Sequence, residues 1–175
     1  MVLEQLAALD TSVFLLVNQG LSNPILDLLL STVTHLGSII FWLLIFFAAI
    51  FKKEKKLYVP MFFAFLINVI FLTILKDFIG RPRPYETLDG VNTLDTENTG
   101  GFPSGHASNA FLGATLLADI YKKFAAPLYI LAVVVAFSRI YVGMHYPTDV
   151  LAGAIEGFVL AKLILQWKFI QKFQK

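Results

Sequence analysis

The sequence predicts an all-α, polytopic integral-membrane helical bundle, and three observations carry that expectation. The chain is 57% hydrophobic and only 15% charged, where a soluble domain carries about 25% charge. Its apolar residues fall in long blocks, the pattern of membrane spans and not of one water-soluble core. Most of its lysines sit in clusters between those blocks, as expected of loops that flank a bilayer. The mean hydropathy of +0.72 agrees.

The 175 residues suffice for one domain, read as 1–175 with a motif-bearing core at 57–166. Met1 to Ser22 is moderately apolar but interrupted by Glu4, Asp10, Asn18 and Gln19, and reads as an interfacial or weakly spanning helix. Asn23-Pro24 opens the next segment, since proline suits a helix start. Residues 24–51 form a long apolar stretch that exceeds a hydrocarbon core of about 30 Å, so tilt or a break near Gly37 is expected. Lys52-Lys53-Glu54-Lys55-Lys56 closes it. Leu57 to Leu75 is the second span, and 76–103 is a polar loop rich in Gly, Pro, Thr and acids. Ser104 to Tyr121, Phe124 to Val142 and Thr148 to Gln166 complete five clear spans, with a tight Gly143–Pro147 connection before the last.

Charge placement orients the bundle. Lys52, Lys53, Lys55, Lys56, Lys122, Lys123 and the tail lysines 168, 172 and 175 fall on one side, which the positive-inside rule makes cytoplasmic. The loop 76–103, the 143–147 connection and the N-terminus then lie outside, at the exterior or periplasmic face of a plasma or inner membrane. Lys76, Arg81, Arg83 and Arg139 remain there, in or beside short motifs. The N-terminal stretch has no basic side chain before Lys52, so it lacks the positive region of a signal peptide. Cysteine is absent, which excludes disulfides, thiolate catalysis and zinc-thiolate sites. A net charge of +2 without a basic patch argues against nucleic-acid binding.

Three runs hold nearly all the chemistry. In Lys76-Asp-Phe-Ile-Gly-Arg81-Pro-Arg83-Pro84, the guanidinium offers a planar fork of donors matched to phosphate oxygens and the ammonium a point charge. Alone, this run reads better as a basic flank of a span. In Pro103-Ser104-Gly105-His106, Ser104 is a good helix cap and Gly105 leaves the first turn open to an anion. Alone, it reads as an ordinary cap with a surface histidine. In the third run, Ser138-Arg139 lies near the outer end of the fourth span, where a cation is expensive. Asp149 falls in the first turn of the fifth span, where a carboxylate can reach back to His145 and hold one ring nitrogen protonated. The other nitrogen is then free to attack. Together the runs supply a nucleophile, an acid and several cations, the set needed to hold and cleave a phosphate ester.

The combined pattern, Lys-x6-Arg-Pro, Pro-Ser-Gly-His and Ser-Arg-x5-His-x3-Asp, resembles the type-2 phosphatidic-acid phosphatase superfamily, and every motif position is filled. The likeness covers residues 57–166 in order and points to the family's short prokaryotic branch. It implies a phosphohistidine at His145, oriented by Asp149, with His106 as the acid and then the base. It implies that Lys76, Arg83, Ser104, Gly105 and Arg139 hold the phosphate. No cofactor or metal is called for, because the cations do that work. The implied substrate is a lipid phosphomonoester or diphosphate: undecaprenyl diphosphate, phosphatidylglycerol phosphate, phosphatidic acid or the 1-phosphate of lipid A. Two rivals share the pocket type: a vanadate-dependent haloperoxidase, expected in larger soluble chains, and a non-catalytic lipid-binding or transport protein of the same fold.

Other polar residues are read more plainly. Glu86, Asp89, Asp95 and Glu97 fit no calcium-loop spacing and read as a solvated lid. His35 reads as structural, and Asn68, Asn109 and Glu156 as facing the bundle interior. Gly153-x3-Gly157 allows close helix approach without implying a dimer.

Overall fold

Proline and capping side chains open the helices. The computed structural model describes residues 2–174; Met1 and the tail lysine Lys175 lie outside the described residues. Helix α1 (Val2–Asn18) precedes α2 (Pro24–Val33), whose start is capped by Asn23: its side chain accepts the N–H groups of Ile25 and Leu26. A single 3-10 turn, Thr34–Gly37, leads to α3 (Ile39–Phe51), capped by Ser38. Helix α4 (Lys55–Ile79) ends where Gly80 adopts a φ of +57° and returns its N–H to the Lys76 carbonyl. A short α5 (Pro84–Thr87) follows. Ser104 caps α6 (Gly105–Ile120), and α7 (Ala125–Tyr141), α8 (Pro147–Gln166) and α9 (Lys168–Gln174) complete the chain. No strand occurs among the described residues.

Helix α6 is the centre of the bundle. It packs chiefly on α8 and α7 and less extensively on α4, and ten of its residues are buried. In lipid, apolar contact between helices gains little from water release, so close backbone approach carries more of the association. Glycines provide it here. A Cβ on Gly153 or Gly157 of α8 would collide with the carbonyl oxygens of Ser104 and Ser108 on α6, and one on Gly113 would enter the Trp42 ring. The same contact region holds a polar cluster: the Ser108 hydroxyl lies 2.5 Å from a Glu156 carboxylate oxygen and 3.0 Å from the Asn68 amide. Asn109 donates to the Gly37 carbonyl at 3.0 Å. The expectation that Asn68, Asn109 and Glu156 face inward holds.

The break near Gly37 is real and has a packing cause. The segments Pro24–Gly37 and Ile39–Phe51 meet at 52°. A Cβ on Gly37 would come within 2.9 Å of the His106 side chain, so bare backbone at the bend lets this segment wrap the start of α6. His35 lies in the Thr34–Gly37 turn and is exposed.

Length and composition identify fewer spans than the five expected. Among the described residues, Lys55–Thr87 and Lys122–Tyr141 are long and apolar enough to cross a membrane, and the bent pair α2 and α3 qualifies together as a third. Helix α6 falls short because it is 16 residues long, and its Ser108, Asn109 and Thr115 are buried inside the bundle. Helix α1 docks more firmly than an interfacial reading suggests. Its Phe14 and Val17 are buried against the bundle, and Asn18 exchanges hydrogen bonds with the Asn92 backbone at 2.9 Å and donates to the Tyr141 carbonyl at 2.7 Å. Asp10 and Asn18, two of the polar residues that interrupt its hydropathy, help to dock it.

Chain direction sorts the polar groups to two ends. Helices α4 and α7 end, and α6 and α8 begin, at the end that carries the motifs. Lys52 to Lys56, Lys122, Lys123 and Lys168 lie at the opposite helix ends. Replacing Gly157 by Val is expected to force α6 and α8 apart. The expected loss is about 1–3 kcal/mol, read as a lower unfolding temperature in detergent, whereas Val at exposed Leu151 should leave it nearly unchanged.

Candidate active site

Six elements bring the motif residues to one end of α6. Lys76 comes from the last turn of α4, Arg83 from the turn before α5, and Ser104, Gly105 and His106 from the start of α6. Arg139 lies in the last turn of α7, His145 in the connection and Asp149 in the first turn of α8. Gly143, with φ +86°, turns that connection back into the site. The Ser104 N–H donates to the Asp149 carbonyl at 2.9 Å, which ties the second motif to the third.

The two guanidiniums are wholly buried, Arg83 and Arg139 both at 0% exposure. Arg83 donates from Nε to the Thr99 carbonyl at 2.9 Å and from Nη1 to the Met144 carbonyl at 3.1 Å. Arg139 donates from Nη1 to Thr34 Oγ1 at 2.7 Å and to Asp95 Oδ2 at 3.1 Å. Lys76 donates to the Gly100 carbonyl at 2.8 Å, next to the same Thr99 that meets Arg83. Gly105 is not required by packing, since an added Cβ would meet only Leu72 Cδ1, at 3.8 Å.

The tautomer of His145 follows from its partners. Its Nδ1 lies 2.7 Å from the Gly101 carbonyl oxygen, which can only accept, so Nδ1 carries the proton. Nε2 therefore presents a lone pair, 3.3 Å from Arg83 Nη1. Burial, followed by the charges of Arg139, Arg83 and Lys76, holds the His145 imidazole well below its ordinary pKa of 6.5. A neutral ring whose unprotonated Nε2 lies beside a buried guanidinium has the chemistry of a nucleophile.

Asp149 differs from expectation in detail. The Nδ1–H hydrogen bond that Asp149 was expected to accept from His145 goes to the Gly101 carbonyl, and Asp149 Oδ2 stands 3.7 Å from Nδ1. Its oxygens instead accept the Tyr146 N–H at 2.9 Å and the Arg81 guanidinium. Asp149 still places a negative charge behind the imidazole, at ion-pair distance.

Three participants were named in the sequence without a role at the site. Arg81 pairs with Asp149 and with Asp10 of α1, and lies 4.4 Å above the Tyr146 ring. Asp10 also accepts the N–H and hydroxyl of Thr148, so α1 buttresses the start of α8. Interleaved polar residues in an apolar helix were the available signal. Glu97, read as part of a solvated lid, reaches inward: its carboxylate lies 2.7 Å from Arg83 Nη2, 3.3 Å from Arg139 Nη2 and 3.8 Å from His106 Nδ1. Burial opposes its ionisation, but Arg83 and Arg139 outweigh burial and hold the Glu97 carboxyl below its usual range.

An all-helical bundle with two imidazoles and three cations gathered at one end is now in view, and the comparisons with known proteins agree with it. The chain belongs to the PAP2 superfamily, whose family model matches residues 57–173. It is 33% identical over 119 residues to an undecaprenyl-diphosphatase of Sulfolobus acidocaldarius, an alignment covering 67% of this chain but only 58% of that protein's length. Among solved structures it is similar to Aquifex aeolicus LpxE, with a TM-score of 0.83 and 32% identity over 91% of this chain and 96% of that one. It is also similar to a transmembrane PAP2 type phosphatidylglycerolphosphate phosphatase from Bacillus subtilis, with a TM-score of 0.81 and 27% identity over 96% and 87% of the two chains.

The buried His145 makes stability depend on pH. In the unfolded chain its ring takes a proton as pH falls through about 6.5, while the folded ring refuses it. Stability present above that pH is therefore lost as pH falls from 6.5 toward the depressed folded value. Relative to His145→Gln, the wild-type chain in detergent should lose up to about 1.4 kcal/mol per pH unit below 6.5. Parallel pH–stability curves for the two proteins would contradict a neutral buried His145.

Proposed function

We propose that this chain is an integral-membrane lipid phosphatase acting through a phosphohistidine at His145. The observation that carries the reading is the unprotonated Nε2 of His145, which accepts from the Arg83 guanidinium while Nδ1 donates to the Gly101 carbonyl. In the first step Nε2 attacks phosphorus; the N–P bond forms and the bond to the leaving oxygen breaks. His106, protonated, donates to that oxygen as it departs. In the second step His106 takes a proton from water, the water oxygen attacks phosphorus, and the N–P bond breaks to release orthophosphate. Asp149 stabilises the positive charge that develops on His145. Lys76, Arg83, Arg139, Ser104 and the Gly105 N–H hold the equatorial oxygens, where charge redistributes in the transition state.

The substrate is proposed to be a lipid phosphomonoester or diphosphate at the membrane boundary. Undecaprenyl diphosphate and phosphatidylglycerol phosphate have the support of the relatives' names; phosphatidic acid and the 1-phosphate of lipid A present the same terminal group. The whole chain acts as one domain with five spans. Support for counting α8 comes from its outward stripe of exposed Leu151, Ile155, Val159 and Leu163, an apolar face turned away from the bundle. The site faces the exterior of the plasma or inner membrane, because the lysine clusters lie at the other helix ends.

The test is phosphate release from detergent-dispersed lipids, compared across those four substrates and a soluble phosphomonoester. His106→Ala should lower kcat by about 10²–10⁴, and Arg139→Lys by about 10²–10³. His145→Ala should abolish both turnover and an acid-labile phosphoenzyme trapped from labelled substrate. Equal slow release by wild type and both histidine variants would end the enzyme reading. Because fixed cations hold the phosphate, chelation with EDTA is expected to leave turnover unchanged; a loss restored by a divalent ion would contradict that.

A further inference from the structure

Glu97 sits where an anion belongs. Its two carboxylate oxygens bridge Arg83, Arg139 and His106; the two arginines are assigned above to the phosphoryl oxygens and His106 to the leaving oxygen. A carboxylate presents a pair of oxygens on one centre, as one edge of a phosphate does, and both accept from guanidinium forks. The two therefore compete for the same donors. The segment that carries Glu97 is anchored on both sides. On one side Asn18 holds Asn92, and the Leu94 N–H donates to the Val142 carbonyl at 3.1 Å. On the other the Gly101 N–H donates to the Arg81 carbonyl at 2.7 Å. Between these anchors the Tyr85 hydroxyl donates to the Glu97 carbonyl at 2.8 Å and holds the carboxylate over the cations.

We propose that Glu97 is a resident competitor for the phosphate pocket and that it sets the charge a ligand must bring to enter. A dianionic phosphomonoester or the terminal phosphate of a diphosphate carries more charge than the carboxylate and displaces it. A phosphodiester monoanion carries no more than Glu97 and does not. The residue thus selects terminal phosphates against the diester headgroups that surround the site in a bilayer. It acts on binding and not on the reacting atoms, so it is a specificity residue. The inference rests on the phosphatase reading for the identity of the pocket.

Competition of this kind lowers apparent affinity by the fraction of molecules in which the pocket is free. If the occupied form dominates about ten to one, its removal tightens phosphate binding about 10-fold. Glu97 also neutralises buried cations, so Glu97→Gln should unfold at a lower temperature without ligand and recover more on adding one.

The experiment measures inorganic phosphate, orthovanadate and dimethyl phosphate binding to the full chain in detergent, by ligand-dependent unfolding temperature and by inhibition of turnover. Glu97→Gln is expected to bind phosphate and vanadate about 10-fold more tightly and to bind dimethyl phosphate more tightly still in relative terms, narrowing the preference for dianions. KM should fall with kcat changed less. Tyr85→Phe, which leaves Glu97 in place but removes its tether, should shift affinities the same way by a smaller factor. Unchanged or weaker phosphate binding in Glu97→Gln, or a preference for dianions that does not narrow, would overturn the proposal. Weaker binding in Tyr85→Phe would overturn the tether and make Tyr85 a ligand contact. Failure of the phosphatase reading is read separately, as hydrolysis that survives His145→Ala.

Discussion

Two guanidiniums without solvent exposure set the terms for the rest of this molecule. Removing a cation from water costs several kcal/mol even after relaxation, and the cost is met only by well-placed anions and carbonyls. Arg83 and Arg139 therefore need a wall of acceptors, and the chain builds it from distant places. Thr34 comes from the break between α2 and α3, Thr99 and Met144 from two loops, and Asp95 and Glu97 from the long loop between α5 and α6. The inward course of residues 95–100 becomes intelligible as a consequence of those two buried charges.

A second electrostatic unit sits behind the first. Asp149 is buried and would be costly alone; Arg81 and the Tyr146 N–H compensate it, and Asp10 compensates Arg81 in turn. This relay runs from α1 to the start of α8 and holds Asp149 at ion-pair distance from His145. The imidazole is thereby fixed from two directions: Gly101 sets its tautomer, and Asp149 supplies a negative field behind it. Orientation and charge come from different residues: the Gly101 carbonyl fixes the neutral tautomer, and Asp149 lies where it would offset a positive charge on the ring.

Much of this was legible in the sequence, for physical reasons that differ by residue. Helix borders at Asn23-Pro24, Ser104 and Pro147 were readable because capping is local chemistry. Arg139 stood out because a cation deep in an apolar segment is expensive anywhere. Gly101 was not readable as a partner of His145, since a carbonyl has no side-chain signature. Glu97 was not readable either: in a loop rich in acids, nothing local distinguishes a solvated carboxylate from one aimed at buried arginines 14 and 42 residues away in sequence. Asp10 was visible as an interruption in an apolar helix, but its partner Arg81 lies 71 residues on. The span count suffered from the opposite problem. The polar residues of α6 lower its hydropathy because α6 is lined by other helices, so composition alone does not describe what that helix touches.

The contacts that hold the bundle together are also the contacts that shape the site. Gly153 brings α8 onto the Ser104 carbonyl, and the Ser104 N–H in turn donates to Asp149. The first turns of α6 and α8 are therefore a single packed unit, and His106 and Asp149 are carried on it. One turn further in, Gly157 meets Ser108 and the Glu156–Ser108–Asn68 cluster closes the same interface with hydrogen bonds. In a bilayer, where apolar burial gives little preference for one helix neighbour over another, such backbone contact and polar pairing supply the specificity. A looser α6–α8 interface would lose stability and site geometry together. That coupling ties the geometry of the helical part of the site to the packing of α6 on α8.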